Sequence, residues 1–107
     1  MKSIIQVDDD KCFECRNAFG TEWHHIFGGQ PNRAHSEDDG LKVRMCRSCH
    51  EEIHHGKNCK AMMERYHELG QVKWEAYYGP ALIREGKDPR EEFRKRYGKN
   101  WLEDEEQ

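Results

Sequence analysis

Met45-Cys46-Arg47-Ser48-Cys49-His50-Glu51-Glu52-Ile53-His54-His55 places two kinds of metal ligand in one short stretch. Cys46 and Cys49 have the C-x-x-C spacing that lets two thiolates of a tight turn reach one zinc at ~2.3 Å, with the second cysteine opening a helix. A helix that begins near Cys49 sets His50 and His54 one turn apart on one face. Each pair is half of a site, and the chain carries a second half for each. Cys12-Phe13-Glu14-Cys15 repeats the thiolate spacing, and His24-His25 supplies further imidazoles. Everything before Met45 can be read as delivering those partners.

The residues between the halves read as a hairpin. Thr21 to Phe27 is rich in aromatic and β-branched side chains, a strand ended by Gly28-Gly29-Gln30-Pro31-Asn32. Leu41, Val43 and Met45 alternate with Lys42 and Arg44, the pattern of a second, half-buried strand that runs into Cys46. Arg33 to Gly40 reads as polar loop, Lys2 to Val7 as a short strand or extended lead, and Asp8-Asp9-Asp10 as a turn. Two C-x-x-C pairs flanking such a hairpin predict a treble clef around one zinc, held by Cys12, Cys15, Cys46 and Cys49. That zinc is structural, because four thiolates leave no open position for water or substrate. On a strand, neighbours point to opposite sides, so His24 and His25 cannot do the same job, and one can face a metal while the other faces a water. His50 and His54 then complete a three-imidazole face with open coordination positions, the arrangement of a reactive metal.

With 107 residues, 35% of them hydrophobic and 36% charged, the chain predicts one domain with a small core that needs a metal staple. Within residues 1–107, about 8–56 form the zinc-bound module, 57–102 a helical extension and 103–107 an acidic tail that frays. No run approaches the ~20 apolar residues of a membrane span, and no signal-peptide core is visible, so an intracellular, cytoplasmic protein is expected. In a reducing compartment, paired cysteine spacing means metal rather than disulfides, leaving Cys59 as an idle or buried thiol. Net charge is -3, divided unevenly: residues 1–56 carry 7 basic and 10 acidic side chains, residues 57–100 carry 11 and 7, and the last seven carry 0 and 4. That balance neither requires nor excludes a phosphate-binding patch.

In the extension, Asn58 is placed to cap a helix to Leu69 that Gly70 ends, followed by a short helix from Gln71 to Tyr78 stopped by Gly79-Pro80. Asp88-Pro89-Arg90-Glu91 is a stronger start signal: an N-cap, proline at the first helical position and a glutamate three residues after the cap. That helix carries Phe93 and Tyr97 and stops at Gly98, after which Trp101 and Leu102 fold back on the body. Trp74, Tyr77 and Tyr78 could stack on bases, but at helical spacing with Met62 and Tyr66 they read as the core joining extension to module.

Cys12-x-x-Cys15, the strand His24-His25-Ile26 followed by Gly28-Gly29, and Cys46-x-x-Cys49-His50 with His54 one turn on resemble the HNH endonucleases of the ββα-metal, or His-Me finger, superfamily. The likeness covers residues 12 to 55, and more narrowly the run from His24 to Gly29, the Leu41 to His50 segment and the Gly-rich helical tail look like small stand-alone HNH proteins of phages and prophages. It implies an α+β fold: a small treble-clef zinc module with a ββα-metal core and a few C-terminal helices. It also implies that His25 is the general base that activates water for hydrolysis of DNA phosphodiesters. His24, His50 and His54 would ligate a single divalent cation, Mg²⁺, Mn²⁺, Ni²⁺ or Zn²⁺, and the location would be host cytoplasm for a phage protein. One position departs: the family's middle asparagine falls about nine residues before His50, where this chain has Leu41, and Asn32 lies much further back. In the family that asparagine helps hold the loop and the base histidine in place, so here some other group must do this or the site is degraded.

The chemistry also follows from the residues, since phosphodiester hydrolysis needs a base near neutral pKa and a cation for the developing charge. Arg33, Arg44 and Arg47 lie near the expected site and could clamp phosphate. With no base-reading element visible, sequence preference should be modest. The competing reading is a non-catalytic treble-clef module that binds nucleic acid or a protein partner. His25 beside His24, together with the His50/His54 turn, favours catalysis, because a pure zinc module needs none of them. His55 is left as a neighbour, and His35 and His67 as surface residues.

Overall fold

The computed structural model describes residues 1–7 and 10–102. Its elements are strand β1 (Glu22–His25), helix α1 (Asn32–Asp39), strand β2 (Lys42–Met45), helix α2 (Arg47–His55), helix α3 (Cys59–Arg84) and helix α4 (Pro89–Tyr97). The chain is thus a small α+β protein. None of its helices is long and apolar enough to cross a membrane, among the described residues. Asp8, Asp9 and the acidic tail 103–107 lie outside the described residues.

The strands pair antiparallel, with His24 opposite Val43 and His25 opposite Lys42. Alternation sends His24 inward, 4% exposed, while Trp23 and His25 lie half-buried on the other face. Leu41, just before β2, and Val43 and Met45 within it are fully buried, as their alternation predicts. α2 starts after Cys46, whose sulfur accepts from the backbone N–H of Cys49 and so caps the helix.

The N-terminal lead forms no strand. Its backbone turns on Ser3, whose Oγ accepts from the N–H groups of Ile5 and Gln6 and donates to the carbonyl of Lys42. The Gln6 side chain then takes the N–H of Arg44. Side chains here occupy the β2 edge that a strand's backbone would have paired.

Arg33 to Gly40 is not a loop. Residues 32 to 39 form α1, ended by Gly40 at φ 79°, with the Gly40 N–H on the Ser36 carbonyl. The polar composition hid two anchors that work only through distant partners. Ser36 Oγ is clamped between the N–H and carbonyl of Phe27, both at 3.1 Å. Asp39 is buried and accepts from Trp74, Arg96 and Tyr97. Gly40 itself has no room for a side chain, since a Cβ would stand 2.4 Å from the carbonyl oxygen of Lys2.

The two helices expected between Asn58 and Tyr78 are one. α3 runs unbroken for 26 residues, about 39 Å, through Gly70, Gly79 and Pro80. Gly70 does not stop the helix because it is the point where α3 touches the end of β1: a Cβ there would lie 2.6 Å from Ile26 Cγ2. Pro80 costs a helix interior about 3 kcal/mol locally, and here neighbouring turns are held from outside. Trp74 Nε1 and Tyr78 Oη donate to the carboxylate and carbonyl of Asp39, and Gly79 is buried beside Pro89.

α4 starts at Pro89 as its signal predicts, but the capping box does not close. Asp88 makes no side-chain cap bond, and Glu91 pairs with Arg94 instead. Phe93 and Tyr97 face inward and Trp101 folds back, its N–H on Gln71 Oε1. These aromatics surround Phe27 at centroid distances of 5.5, 4.8 and 4.6 Å. His67 stacks on Phe27 at 5.1 Å and is half-buried, not a surface residue. The extension is therefore packed on the residues that directly follow His25.

Candidate metal centre

Two clusters flank α2. Cys12, Cys15, Cys46 and Cys49 bring their sulfurs within 4.8 Å of one another, and so do the ligand nitrogens of His24, His50 and His54. Each cluster joins residues that are far apart in sequence, and each draws on α2.

The thiol cluster is built by two similar turns. In each, the backbone N–H of the second cysteine points at the sulfur of the first, at 3.5 Å. Arg16, at φ 69°, closes the first turn with its N–H on the Cys12 carbonyl. Phe13 then docks that turn on β2, its N–H 2.7 Å from the Arg44 carbonyl. Glu14 secures the other side by accepting from Tyr66 Oη at 2.5 Å. Cys15 and Cys46 sulfurs are 3.7 Å apart. A tetrahedron with Zn–S of ~2.3 Å has edges of about 3.8 Å, so the spacing suits that ion.

The charges agree. Burial pushes the Cys12 thiol up, but hydrogen bonds from the backbone of Cys46, Cys15 and Glu14 outweigh it and bring its pKa down to about 7. Burial and then the neighbouring sulfurs of Cys46, Cys15 and Cys12 push the Cys49 thiol well above its ordinary value. Thiolates this close cannot all ionise unaided, and a divalent cation relieves that conflict. These four residues could hold a metal ion such as zinc.

In the imidazole cluster, the His24 ring lies 5.2 Å from His50 and 5.5 Å from His54, and those two are 4.9 Å apart. His24 Nε2 is buried and, among the described residues, has no hydrogen-bond partner. An unpartnered buried nitrogen costs roughly 1–3 kcal/mol, so its position calls for a ligand. Burial, and next the repulsion of His50 and His54, lower the His24 pKa to about 3, which keeps its lone pair available. His50 Nδ1 contacts Glu22 Oε2 at 3.2 Å, leaving its Nε2 for an ion. Sequence reading overlooked Glu22, although it shares the β1 face of His24 by period-two alternation.

His25 is not part of this cluster. It points to the other face of β1, where its Nε2 lies 2.7 Å from Glu37 Oε1. Nothing in the sequence signalled Glu37, because its segment reads as loop. Of the three arginines, Arg47 is exposed in the open cleft it lines with His50 and His54, and Arg33 is exposed on α1, away from the residues that line that cleft. Arg44 lies over the Trp23 ring at 4.2 Å and pairs with Asp10, so it is the least free of the three. No protein-family model, curated protein or solved structure matches this chain.

Proposed function

We propose that the protein is a metal-dependent endonuclease of the HNH, or ββα-metal, kind that hydrolyses DNA phosphodiester bonds on a treble-clef scaffold held by a structural zinc. The observation that carries this reading is the buried, unpartnered Nε2 of His24 beside the imidazoles of His50 and His54. A scaffold whose four thiols already supply a complete metal site has no use for a second, open set of ligands.

In this reading His24, His50 and His54 would hold one divalent cation, whose contribution when bound would be to offset charge developing on the phosphate and the leaving oxygen. His25 takes the proton of the attacking water. Glu22 fixes the His50 ring, so that its Nε2 faces inward. Arg47, in the same cleft, meets the phosphate as a fork of donors, whereas Arg33 and Arg44 are not among the residues that line it. The thiol site and α3 keep β1 and α2 at the separation the imidazoles require.

The test is plasmid cleavage with Mg²⁺, Mn²⁺ or Ni²⁺, comparing wild type with two variants whose zinc content is checked by elemental analysis. His25→Ala should lower the rate by ~10² to 10⁴-fold with zinc and most DNA affinity retained, because a base contributes proton transfer and not binding. His50→Ala should lower activity in a way that higher metal concentration partly restores, because a ligand contributes binding. Wild-type cleavage by His25→Ala refutes the base assignment. A wild type that cuts DNA with none of these cations replaces the nuclease reading with that of a non-catalytic zinc module.

A further inference from the structure

We propose that Glu37, on α1, is the positioning residue for His25: its carboxylate holds the imidazole at Nε2 and leaves Nδ1 as the nitrogen that takes the proton. This rests on His25 being the base, as proposed above, and adds the group that orients it. The contact is short, 2.7 Å from His25 Nε2 to Glu37 Oε1. It is also braced. The other carboxylate oxygen accepts from Lys42 Nζ at 3.0 Å, and Lys42 is the residue directly across the strand pair from His25. Lys42 in turn lies over the Trp23 ring at 4.9 Å, two residues back along β1, so the brace on the 46% exposed carboxylate comes from a side chain that is itself packed.

The direction of the hydrogen bond follows from charge. Hydrogen bonds from His25 first, and then Lys42, with burial opposing them, bring the Glu37 pKa down to about 2, so the carboxylate is ionised. An ionised carboxylate only accepts, so the proton of the neutral imidazole sits on Nε2 and the lone pair on Nδ1. A free imidazole has no fixed ring plane, whereas this one is tied at one nitrogen and enclosed, its side chain 12% exposed. Leu41, at the position where an asparagine was expected, is fully buried in the core and offers no side-chain polar atom to His25. The holding group comes instead from a helix that the polar composition disguised. That helix is itself fixed at Ser36 and Asp39, which flank Glu37 in sequence.

The experiment is a kinetic cycle on the full chain with zinc and a divalent cation, measuring kcat and KM for plasmid cleavage. Glu37→Ala should lower kcat by ~10- to 100-fold, the usual effect of losing a histidine's supporting partner, with KM unchanged. Glu37→Gln keeps one accepting oxygen for Nε2–H but turns its NH₂ on Lys42 Nζ, so it should lower kcat by less than Glu37→Ala does. In a His25→Ala background, Glu37→Ala should cost nothing further, because the residue acts only through that ring. In proton NMR, a far-downfield imidazole N–H resonance should be present in wild type and absent in Glu37→Ala and His25→Gln. Unchanged kcat in Glu37→Ala, or an equal further loss in the His25→Ala background, overturns the positioning role alone. A wild type without cleavage, or a fully active His25→Ala, overturns the base assignment and this role together, and the NMR signal then reports the contact by itself.

Discussion

Replacing Asp39 with asparagine should remove about 3 kcal/mol of folding stability, near the lower end of the ~3–5 kcal/mol expected when one partner of a buried ion pair is lost. Asp39 is 7% exposed and is the last residue of α1. Its Oδ2 accepts from Trp74 Nε1 at 2.9 Å, Arg96 Nε at 2.6 Å and Tyr97 Oη at 2.7 Å, while Oδ1 accepts from Arg96 Nη2 at 2.9 Å. An asparagine keeps the shape but offers one accepting oxygen. Whichever way the amide turns, its NH₂ meets at least one of these donors head-on, and the Arg96 charge loses its counter-ion. The lower end applies because the Arg96 side chain is 33% exposed and regains some hydration. For a domain of this size, that loss corresponds to a drop in Tm of roughly 12–24 °C. Urea unfolding with saturating zinc measures it directly. A loss below about 1 kcal/mol with unchanged m-value would refute the argument, since it would mean that these bonds are exchanged for water at little cost. Because Asp39 ends the helix that carries Glu37, the proposed nuclease activity, where plasmid cleavage detects it, should also be slower in this variant.

Gly70→Ala should destabilise the protein by about 1–2 kcal/mol, because overpacking against a buried branched side chain exceeds the ~1 kcal/mol gained in helix propensity. Its Cβ would meet Ile26 Cγ2 at 2.6 Å and Phe27 Cε2 at 3.1 Å; a more stable variant in thermal unfolding would show that β1 can shift freely. The third expectation concerns acid. Burial, and then the charge of Lys99, lower the pKa of His67 from 6.5, so the unfolded chain binds a proton that the folded chain refuses. Stability from this source is full above pH 6.5 and falls as the pH drops below it. His67→Phe keeps the stack on Phe27 without the titration, so its stability should fall less steeply than that of wild type between about pH 6.5 and 5, and parallel slopes would contradict the assignment.

Several features were legible in the residues because they depend on short-range covalent spacing. The cysteines of each pair stand three positions apart, and a turn of that length brings both sulfurs to one side whatever surrounds it. His50 and His54 stand four apart, which sets them on one helical face, and alternation alone placed His24 and His25 on opposite sides of a strand. Leu41, Val43 and Met45 announced their burial in the same way. Punctuation was less secure. Gly70, Gly79 and Pro80 look like stops, yet a glycine is equally the residue that lets a helix approach a strand closely, and only the position of Ile26 tells the two apart at Gly70.

Tertiary structure alone decided the rest. Asn32–Asp39 has no apolar stripe, so no periodicity could mark it as a helix. It is held by Ser36 on Phe27, nine residues back, and by Asp39 on side chains of α3 and α4 that lie 35 to 58 residues on, and such partners leave no local trace. For the same reason the contact between His25 and Glu37 was invisible, as was the burial of His67 between Phe27 and Trp101. A ligand spacing is a property of the backbone within one turn, whereas a hydrogen bond between distant side chains exists only once the chain has folded and brought donor to acceptor.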